Sequence, residues 1–498
     1  MDSFTFILFG ATGDLAGKKI IPALYELYRK QLIPANFILI GNSRTPRTDE
    51  SFQKLVYQQI SKTTQLDQPT WNHFKNRLVF VPGNAAEEKT IHDIIQRIES
   101  LQSQGENCDN LMFHIATLPE LYQDILANLG HKLSFFKNCG WSKILIEKPF
   151  GSNTKTAKQL NEITKHYFEE NQIFRIDHFL GKETVQNILA FRFGNGLFKP
   201  IWNNEHIDHI QITSMESDGV EGREIFYDST GVLRDYVQNH LLQILAVVMM
   251  DTPKSLKPED IRQARLKTLK QLTTPDNILD EVVYGQYGIG TIDGQEVRAY
   301  TQEDKIPEDS TTPTYVALKA LINSPRAKDI PIYIRMGKRL NSKISEVNIQ
   351  FKDPENVLPE YQTQMTPNIL TIRIQPNEGI VLRLDAKKPG LGHTLEPVNM
   401  QFCYSTEFST NPKIEAYQRL IADAFLGDHT LFPTHEEVEA AWQFIDPFLI
   451  ENTQQTPHIY PAGSEGPTQA KAFIEKDKRT WIQPSPQVCS IPIAKNNN

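Results

Sequence analysis

The sequence is short of cysteine, of long hydrophobic runs and of basic charge. Its four cysteines are far apart and lack the spacing of metal ligands (Cys108, Cys139, Cys403 and Cys489). The most apolar run, "LLQILAVVMM" (241–250), is too short to cross a bilayer. The net charge of −8 argues against nucleic-acid and anionic-membrane partners. Since the N-terminal segment also lacks the basic region of a signal peptide, we expect a cytoplasmic protein with reduced cysteines and no bound metal.

The length indicates more than one domain, because 498 residues exceed what one ordinary hydrophobic core accommodates. In the first 177 residues, short apolar segments typical of buried parallel strands alternate with helical patterns. The predicted strands lie within 4–9, 36–44, 77–83, 110–117, 142–151 and 166–177. We therefore predict an α/β domain of the Rossmann type, which binds a dinucleotide, over residues 1–177.

The first predicted strand runs into "GATGDLAGKK", a glycine-containing turn that precedes a helix. Gly10 and Gly13 have no Cβ, so a pyrophosphate could lie against the backbone and the helix N-terminus. The spacing Gly-x-x-Gly-Asp-Leu differs from the usual Gly-x-Gly-x-x-Gly. The alternative is a tight strand–helix turn in which Asp14 only caps the helix.

Residues after the second strand indicate which dinucleotide is bound. In NAD-selective versions of this fold, the second strand ends in an acid that binds the ribose hydroxyls. Here it ends in "GNSRTPR", so Arg44 and Arg47 lie where a 2′-phosphate would bind, which predicts NADP. Lys148, in "SKILIEKPFG", is expected at the same edge of the sheet, and the alternative is a solvated lysine in a loop.

Residues 178–498 show a different pattern. Several segments alternate apolar and polar residues, as strands with one solvated face do, within 206–217, 330–337, 345–352, 368–376 and 379–387. Helices are predicted over 178–193, 231–250, 313–323 and 417–425. We therefore predict a larger α+β domain with a mainly antiparallel sheet over residues 178–498.

Two stretches of this region combine charged residues with histidine. In "FRIDHFLGK" (174–182), His178 and Lys182 would share one face of a helix near its N-terminus and could bind a phosphate. The alternative is a helix that Asp177 caps, with both side chains exposed. His240 lies beside an apolar helical stripe and could be a general base paired with Asp177, or a core histidine with its own partner.

A third cluster is "RMGKRLNSK" (335–343), which follows a predicted strand. Its basic residues could bind an anionic substrate, or could form an ordinary solvated loop. They are Arg335, Lys338, Arg339 and Lys343.

In order along the chain, these segments resemble the glucose-6-phosphate dehydrogenase family. The resemblance covers nearly the whole chain, and "RIDHFLGKE" (175–183) and "RDYVQNHLLQ" (234–243) are more specific than the glycine turn. The other matching segments are "GATGDLA" (10–16), "EKPFG" (147–151), "GREIFYD" (222–228), "RMGKRLNSK" (335–343), "IQPNEGI" (374–380) and "YPAGSEGP" (460–467).

The resemblance implies an NADP-dependent oxidoreductase of glucose metabolism. It would oxidise glucose 6-phosphate at C1 to 6-phospho-D-glucono-1,5-lactone, the first step of the oxidative pentose phosphate pathway. His240 would be the general base and Asp177 would orient it. The substrate pocket would contain Lys148, His178, Lys182, Glu216, Asp235, Lys338, Lys343 and Gln375, and the dinucleotide would be held by Gly10, Thr12, Gly13, Asp14, Leu15, Arg44 and Lys148. The family's sheet-mediated subunit interface implies a homodimer or homotetramer.

One residue departs from the family pattern. A tyrosine usually follows the histidine of "RIDH" and its hydroxyl reaches the phosphate, whereas Phe179 has none. The missing hydrogen bond to a charged group is expected to cost roughly 1.5–3 kcal/mol unless another donor substitutes. Two other functions fit a dinucleotide-binding chain: a dehydrogenase of unphosphorylated sugars, and a non-catalytic dinucleotide sensor.

Overall fold

The computed structural model describes residues 3–64, 66–106, 110–132, 140–275, 277–354, 357–409, 414–452, 455–484 and 489. The chain divides into two compact units, each assembled from separate segments. Unit 1 comprises Met1–Gly181, Pro253–Gln263 and Lys413–Glu439, and unit 2 comprises Lys182–Thr252, Ala264–Pro412 and Ala440–Asn498. A domain boundary after residue 177 stays a prediction. In the described ranges, no helix is long and apolar enough to cross a membrane.

Unit 1 is built on a parallel sheet. Its strands are β1 Thr5–Phe9, β2 Ile38–Ser43, β3 Leu78–Pro82, β4 Asn110–Ile115, β5 Trp141–Ile146 and β6 Ile173–Arg175. They lie in the order β3-β2-β1-β4-β5-β6. β1 and β4 are buried along their whole length, which explains why they are apolar without alternation. This order is that of a Rossmann-type fold, and it confirms the predicted class.

Helices connect the strands and continue through the rest of the chain. The described α-helices are Ile21–Arg29, Asp49–Thr63, Gln68–Phe74, Glu88–Ser103, Tyr122–His131, Thr154–Tyr167, Glu183–Phe193, Glu224–Val232, Leu242–Met249, Pro258–Lys270, Tyr404–Glu407, Ala416–Leu426, His435–Asn452 and Thr468–Glu475. Two further segments are π-helical, Ala16–Ile20 and Leu233–Leu241. The helices predicted over 231–250 and 417–425 are therefore confirmed, the first with a π-helical centre.

Glu170 joins the three segments of unit 1. Its carboxylate lies 2.7 Å from Arg175, 3.4 Å from Arg262 and 3.2 Å from His435. Arg262 and His435 belong to the second and third segments. Burial by itself would raise the pKa of Glu170, but the hydrogen bond to His435 and the charge of Arg175 outweigh it and lower the pKa to about 2. The contacts of the folded unit 1 therefore stabilise the ionised form of Glu170.

Unit 2 contains a large mixed sheet. Its strands are β7 Ile207–Met215, β8 Leu272–Thr273, β9 Val282–Gly288, β12 Tyr315–Ile322, β13 Ile332–Gly337, β14 Ile344–Phe351, β15 Ile369–Gln375, β16 Gly379–Lys387, β17 Leu395–Cys403 and β18 His458–Pro461. They lie in the order β17-β16-β15-β14-β7-β13-β12-β9-β18, with β8 paired to β12. Only the pairs β7–β13 and β9–β18 are parallel in this described sheet. The predicted α+β class with a mainly antiparallel sheet is confirmed. A separate hairpin joins β10 Gly290–Ile292 and β11 Gln295–Val297.

The helix predicted over 313–323 is wrong, because these residues form β12. β12 lies between β13 and β9 and is buried along most of its length. A strand with both faces covered loses the alternation that identifies a strand. Its short apolar run therefore could not be distinguished from a buried helical segment.

The helix predicted over 178–193 begins later than expected, at Glu183. The carboxylate of Asp177 accepts a hydrogen bond from the Phe179 N–H at 3.0 Å, and its carbonyl accepts one from the Leu180 N–H at 3.1 Å. An aspartate that bonds its own following backbone offers an alternative to the helix. His178 therefore does not share a helix face with the residues that follow the turn, and that part of the phosphate argument is wrong.

Cys403 and Cys489 form a disulfide, with their Cα atoms 5.4 Å apart. Cys403 ends β17, and the two cysteines are 86 positions apart in the sequence. Nothing local in the sequence brings these positions together, and the prediction of reduced cysteines is wrong for this pair. The other two cysteines, Cys108 and Cys139, lie outside the described residues.

The position of Glu170 makes the stability of unit 1 depend on pH. The folded state lowers the pKa of Glu170 from its ordinary value of 4.5 to about 2. The ionised carboxylate therefore stabilises the fold fully above pH 4.5, and this stabilisation is lost as the pH falls from 4.5 towards 2. We expect Glu170→Gln to lower the free energy of unfolding by about 1–3 kcal/mol near neutral pH. Calorimetric melting at a series of pH values should show the difference shrinking as the pH falls through this window.

Glu162→Gln is the matched control, because this acid is exposed on the Thr154–Tyr167 helix. It should melt like the unmodified protein at every pH. A Glu170→Gln variant whose melting deficit stayed constant between neutral and acidic pH would contradict the electrostatic account.

Candidate active site

The turn after β1 requires glycine at its first position. Gly10 has a φ of +81°, and a Cβ there would lie 2.3 Å from the carbonyl oxygen of Ala116. The N–H groups of Gly10 and Ala11 both donate to the carbonyl of Asn42, at 2.9 and 3.0 Å. The N–H of Thr12 has no acceptor within the described residues. The turn therefore presents a backbone donor at the start of a helix, as an anion site does.

The next three residues of the turn, Gly13, Asp14 and Leu15, have few side-chain groups that could bind an anion. Gly13 is exposed, and its N–H donates to the Gly10 carbonyl at 2.9 Å. Asp14 is exposed and its carboxylate pairs with Lys18 at 2.6 Å, while Leu15 is half-buried. A carboxylate that has its own lysine partner adds little net negative charge beside an anionic ligand.

Two arginines lie at the end of β2. Asn42 is buried and its Nδ2 donates to the carbonyls of Val81 and Gly83, at 2.9 and 3.2 Å, which fixes the adjoining ends of β2 and β3. Arg44 follows β2 directly and is exposed. The Nε of Arg47 is buried and has no hydrogen-bond partner within the described residues. A guanidinium group can donate two parallel hydrogen bonds to a phosphate.

Lys148 follows β5, is half-buried, and is joined to Pro149 by a cis peptide bond. The preceding Glu147 is buried and lies 2.9 Å from His114 Nε2 and 3.2 Å from the hydroxyl of Tyr417, which donates to it. Burial and the negative charge of Glu147 raise the pKa of Tyr417 well above its ordinary value, so the phenol keeps its proton. The sequence analysis missed this group because its members are distant in sequence.

Asp177 and His178 lie in the turn near the end of the first segment of unit 1, Met1–Gly181. Asp177 is only 2% exposed, so its carboxylate is largely shielded from solvent. His178 is half-buried, and its ring stacks on Tyr417 with the ring centres 6.3 Å apart. Phe179 is buried. Because it is a phenylalanine, it has no hydroxyl where the family pattern has the hydroxyl of a tyrosine.

The π-helical turn Leu233–Leu241 carries the candidate base in unit 2. Gly231, with φ 66° and ψ 172°, breaks the helix just before this turn, a conformation that disfavours any side chain. A π-helix bonds residues five apart, so the extra residue changes which side chains share a face. Tyr236 and His240, four positions apart, lie on one face of this turn, where their rings are in contact.

His240 is completely buried within this turn. Its backbone N–H donates to Asn239 Oδ1 at 2.7 Å, and Asn239 Nδ2 donates to the carbonyls of Arg234 and Asp235, at 3.1 and 3.2 Å. Asn239 thus supplies hydrogen-bond partners for a backbone N–H and two backbone carbonyls of the irregular helix. The imidazole packs at 83° to the ring of Tyr236, with the ring centres 5.2 Å apart.

Two predicted substrate residues form an ion pair beside this turn. Glu216 follows β7 and Lys338 follows β13, and their charged atoms are 2.6 Å apart. The Lys338 ammonium also lies 5.1 Å from the centre of the Tyr227 ring. Asp235 is buried and pairs with Arg223 at 3.2 Å. Burial, and then the charge of Asp235, raise the pKa of Tyr227 well above its ordinary value, as expected for a phenol near this carboxylate.

The remaining predicted residues of unit 2 are more accessible. Lys343 is exposed and pairs with Asp218 at 2.5 Å, and this hydrogen bond raises the pKa of Lys343. Gln375 ends β15, is half-buried, and donates through Nε2 to Ser345 Oγ at 3.3 Å. Lys182 is half-buried just before the Glu183–Phe193 helix.

Unit 2 thus brings together, around two tyrosines, four of the residues selected from sequence: His240, Asp235, Glu216 and Lys338. Asp177 belongs to unit 1 and His240 to unit 2, so their pairing stays a prediction. The sequence analysis did not select Arg223, although it lies in the quoted segment "GREIFYD", nor Tyr236, which lies inside "RDYVQNHLLQ".

Comparisons with known proteins agree with the motifs. The family models "Glucose-6-phosphate dehydrogenase, NAD binding domain" and "Glucose-6-phosphate dehydrogenase, C-terminal domain" match residues 7–187 and 189–482. The "Glucose-6-phosphate 1-dehydrogenase" of Chlamydia pneumoniae is 38% identical over 488 residues, which cover 95% of each chain. That of Aggregatibacter actinomycetemcomitans is 39% identical over 482 residues, 96% of this chain and 97% of its own.

A solved structure is similar over the same extent. A glucose-6-phosphate dehydrogenase in complex with its substrate glucose-6-phosphate matches with a TM-score of 0.88 and 33% identity. The match covers 97% of this chain and 99% of that one. The chain described here is therefore a member of the glucose-6-phosphate dehydrogenase family, and is an oxidoreductase of carbohydrate metabolism with a Rossmann-like domain.

Proposed function

We propose that the protein oxidises D-glucose 6-phosphate at C1 with NADP⁺, giving 6-phospho-D-glucono-1,5-lactone and NADPH. This is the first step of the oxidative pentose phosphate pathway. Family membership supports the reaction. The observation that carries the proposal is the cluster in unit 2, where the completely buried imidazole of His240 packs against Tyr236, whose pKa is raised by burial and by the charges of Glu216 and Asp235.

In this mechanism His240 is the general base. Its imidazole takes the proton of the C1 hydroxyl while the C1–H bond breaks and the hydride leaves, so that C1 becomes the carbonyl of the lactone. Asp177 orients the imidazole, and its negative charge stabilises the imidazolium that forms. When bound, NADP⁺ supplies the acceptor for the hydride.

The other selected residues bind the substrate. We assign the phosphate to His178, Lys182 and Lys343, and the sugar to Lys148, Glu216, Asp235, Lys338 and Gln375. The Lys338 ammonium is held by Glu216, so it is positioned before the sugar arrives. Since Phe179 offers no hydroxyl, the phosphate has one donor fewer than the family pattern provides.

We assign the cofactor to the turn after β1 and the end of β2. Gly10, Thr12, Gly13, Asp14 and Leu15 would surround the pyrophosphate. Arg44 would bind the 2′-phosphate, and Lys148 would lie at the same edge of the sheet. The support for this assignment is the close approach of Gly10 to Ala116, which only glycine permits, and the exposed guanidinium of Arg44.

We further propose that the protein acts in the cytoplasm as a homodimer or homotetramer. Phosphorylated sugars are charged and are retained in that compartment. The strand β17 ends the sheet of unit 2, and its Val398 and Met400 are 42% and 62% exposed, which favours pairing with a second copy. The Cys403–Cys489 disulfide is unusual for a cytoplasmic protein.

His240→Asn should leave binding of glucose 6-phosphate nearly unchanged, because asparagine keeps a polar group of similar size. Turnover should fall by about 10²–10⁴-fold, since the variant has no base. Substrate affinity by calorimetry and kcat from NADPH absorbance measure the two effects separately. The matched control is His209→Asn, which removes another buried imidazole of unit 2, one that pairs with Asp208 at 2.6 Å. Near-normal turnover in His240→Asn would show that the assigned base is wrong.

Arg44→Ala should weaken NADP⁺ about 10–100-fold and NAD⁺ less than about threefold, because only NADP⁺ loses a charged hydrogen bond. Dissociation constants from fluorescence titration with each reduced cofactor test this. Arg77→Ala is the control, since Arg77 pairs with Glu106 elsewhere in unit 1. Equal losses for the two cofactors would remove the argument for a 2′-phosphate site.

Glucose 6-phosphate should be oxidised far more efficiently than glucose. Each charged hydrogen bond to the phosphate contributes roughly 1.5–3 kcal/mol, so two of them predict a preference of at least about 10²-fold in kcat/KM. Steady-state rates with both sugars and NADP⁺ provide the comparison. Comparable efficiencies would favour a dehydrogenase of unphosphorylated sugars, and no oxidation of either would favour the dinucleotide sensor.

A further inference from the structure

Tyr236 lies directly against the proposed base. It precedes His240 by four positions within the π-helical turn Leu233–Leu241, and both side chains are buried. Their rings meet at 83° with the centres 5.2 Å apart, an edge-to-face arrangement. The tyrosine ring therefore forms one wall of the space in which the imidazole can rotate.

The hydroxyl of Tyr236 connects this turn to the sheet of unit 2. Ser214 Oγ, on β7, donates to it at 3.0 Å, and the Oγ atoms of Ser214 and Ser345 are 2.8 Å apart. Gln375 Nε2 then donates to Ser345 Oγ at 3.3 Å. Ser345 on β14 is paired in register with both Ser214 and Gln375, so one row of side chains crosses three strands. The row ends at a residue that we assign to the sugar.

The row is suited to hold the turn at a fixed rotation. Asn239 bonds to carbonyls of the turn itself, whereas Tyr236 reaches across to the sheet. Burial, and then the charge of Glu216, raise the pKa of Tyr236 well above its ordinary value. The phenol therefore keeps its proton at any pH at which an imidazole works as a base.

We propose that Tyr236 is a positioning residue for His240: its ring limits the rotation of the imidazole, and its hydroxyl fixes the turn relative to the strand end that carries Gln375. The proposal rests on the proposed function, in which His240 is the base. A small misplacement of a catalytic group changes the rate more than the binding of substrate, because alignment matters most as the bonds break. Tyr236 thus acts on kcat through another residue and does not itself touch the substrate.

Tyr236→Leu removes both the ring and the hydroxyl, and it should lower kcat about 10–100-fold while KM for glucose 6-phosphate changes less than about twofold. Tyr236→Phe keeps the ring and removes the hydroxyl with its bonds to the serine row, and it should lower kcat about 3–10-fold. The decisive measurement is the same pair of substitutions in the His240→Asn background. There, each should change the residual rate less than about twofold, because the group that Tyr236 positions is already absent.

Tyr284 supplies the matched control. It is also buried in unit 2, and its hydroxyl donates to the carbonyl of Phe448 at 2.6 Å. Tyr284→Phe and Tyr284→Leu should lower melting temperature without lowering kcat per folded site. If Tyr236→Leu does not fold, Tyr236→Phe decides the question, since it keeps the packing volume.

Equal rate losses from the Tyr236 substitutions in both backgrounds would show that Tyr236 is only a core residue and would overturn the proposal. An unchanged kcat, or a rise in KM alone, would overturn it as well. A separate result would show that the proposed function is wrong: the single variant His240→Asn would keep its turnover although it lacks the imidazole. That result does not depend on any Tyr236 variant, so the two failures can be distinguished. A loss in His240→Asn together with non-additive Tyr236 effects supports both.

Discussion

The π-helical turn between Leu233 and Leu241 is the constraint on which the candidate site of unit 2 depends. A turn with one extra residue is less favourable than an α-helix, and it persists only when surrounding contacts stabilise it. Gly231 provides the break before it, and Asn239 bonds to the carbonyls that the irregular turn leaves over. The result is a completely buried imidazole that packs against the ring of Tyr236.

Under the proposed function, the charges of unit 2 must let an acidic protein bind an anionic substrate. Two of the lysines selected in unit 2 form ion pairs with different acids: Lys338 pairs with Glu216, and Lys343 pairs with Asp218. The Lys343 pair is exposed, and such pairs contribute only about 0–1 kcal/mol, so the phosphate of the proposed substrate would replace Asp218 at little cost. The Lys338 pair is mostly buried, and breaking it costs more, so it stays in place and orients the ammonium.

Much of the fold could be predicted from the sequence because the parallel strands of unit 1 are short, apolar and separated by helical patterns. The failures have physical causes. β12 is covered on both faces and has no alternation, and Asp177 bonds its own backbone, so the helix that follows starts at Glu183. Local patterns cannot reveal contacts such as the Cys403–Cys489 disulfide, because its partners meet only in the folded chain.

The candidate site shows the same division. Residue types alone left His240 as a possible core histidine and Lys338 as part of a possible solvated loop, and it was the resemblance of whole segments to the family that selected them. Nothing in the sequence distinguishes Tyr236 from an ordinary core residue, because it is one more aromatic residue on an apolar helix. Its relation to His240 and to Ser214 depends on the π-helical turn and on the register of β7, and neither follows from sequence periodicity.

The assembly of unit 1 from three separated segments has a consequence for synthesis on the ribosome. The six parallel strands leave the exit tunnel long before residues 413–439, which supply Tyr417 to Glu147 and His435 to Glu170. Until then, each carboxylate has only its earlier described partners, His114 for Glu147, and Arg175 and Arg262 for Glu170. Unit 1 therefore cannot be completed until most of the polypeptide has been translated, and the nascent chain carries two partly paired acids during that interval.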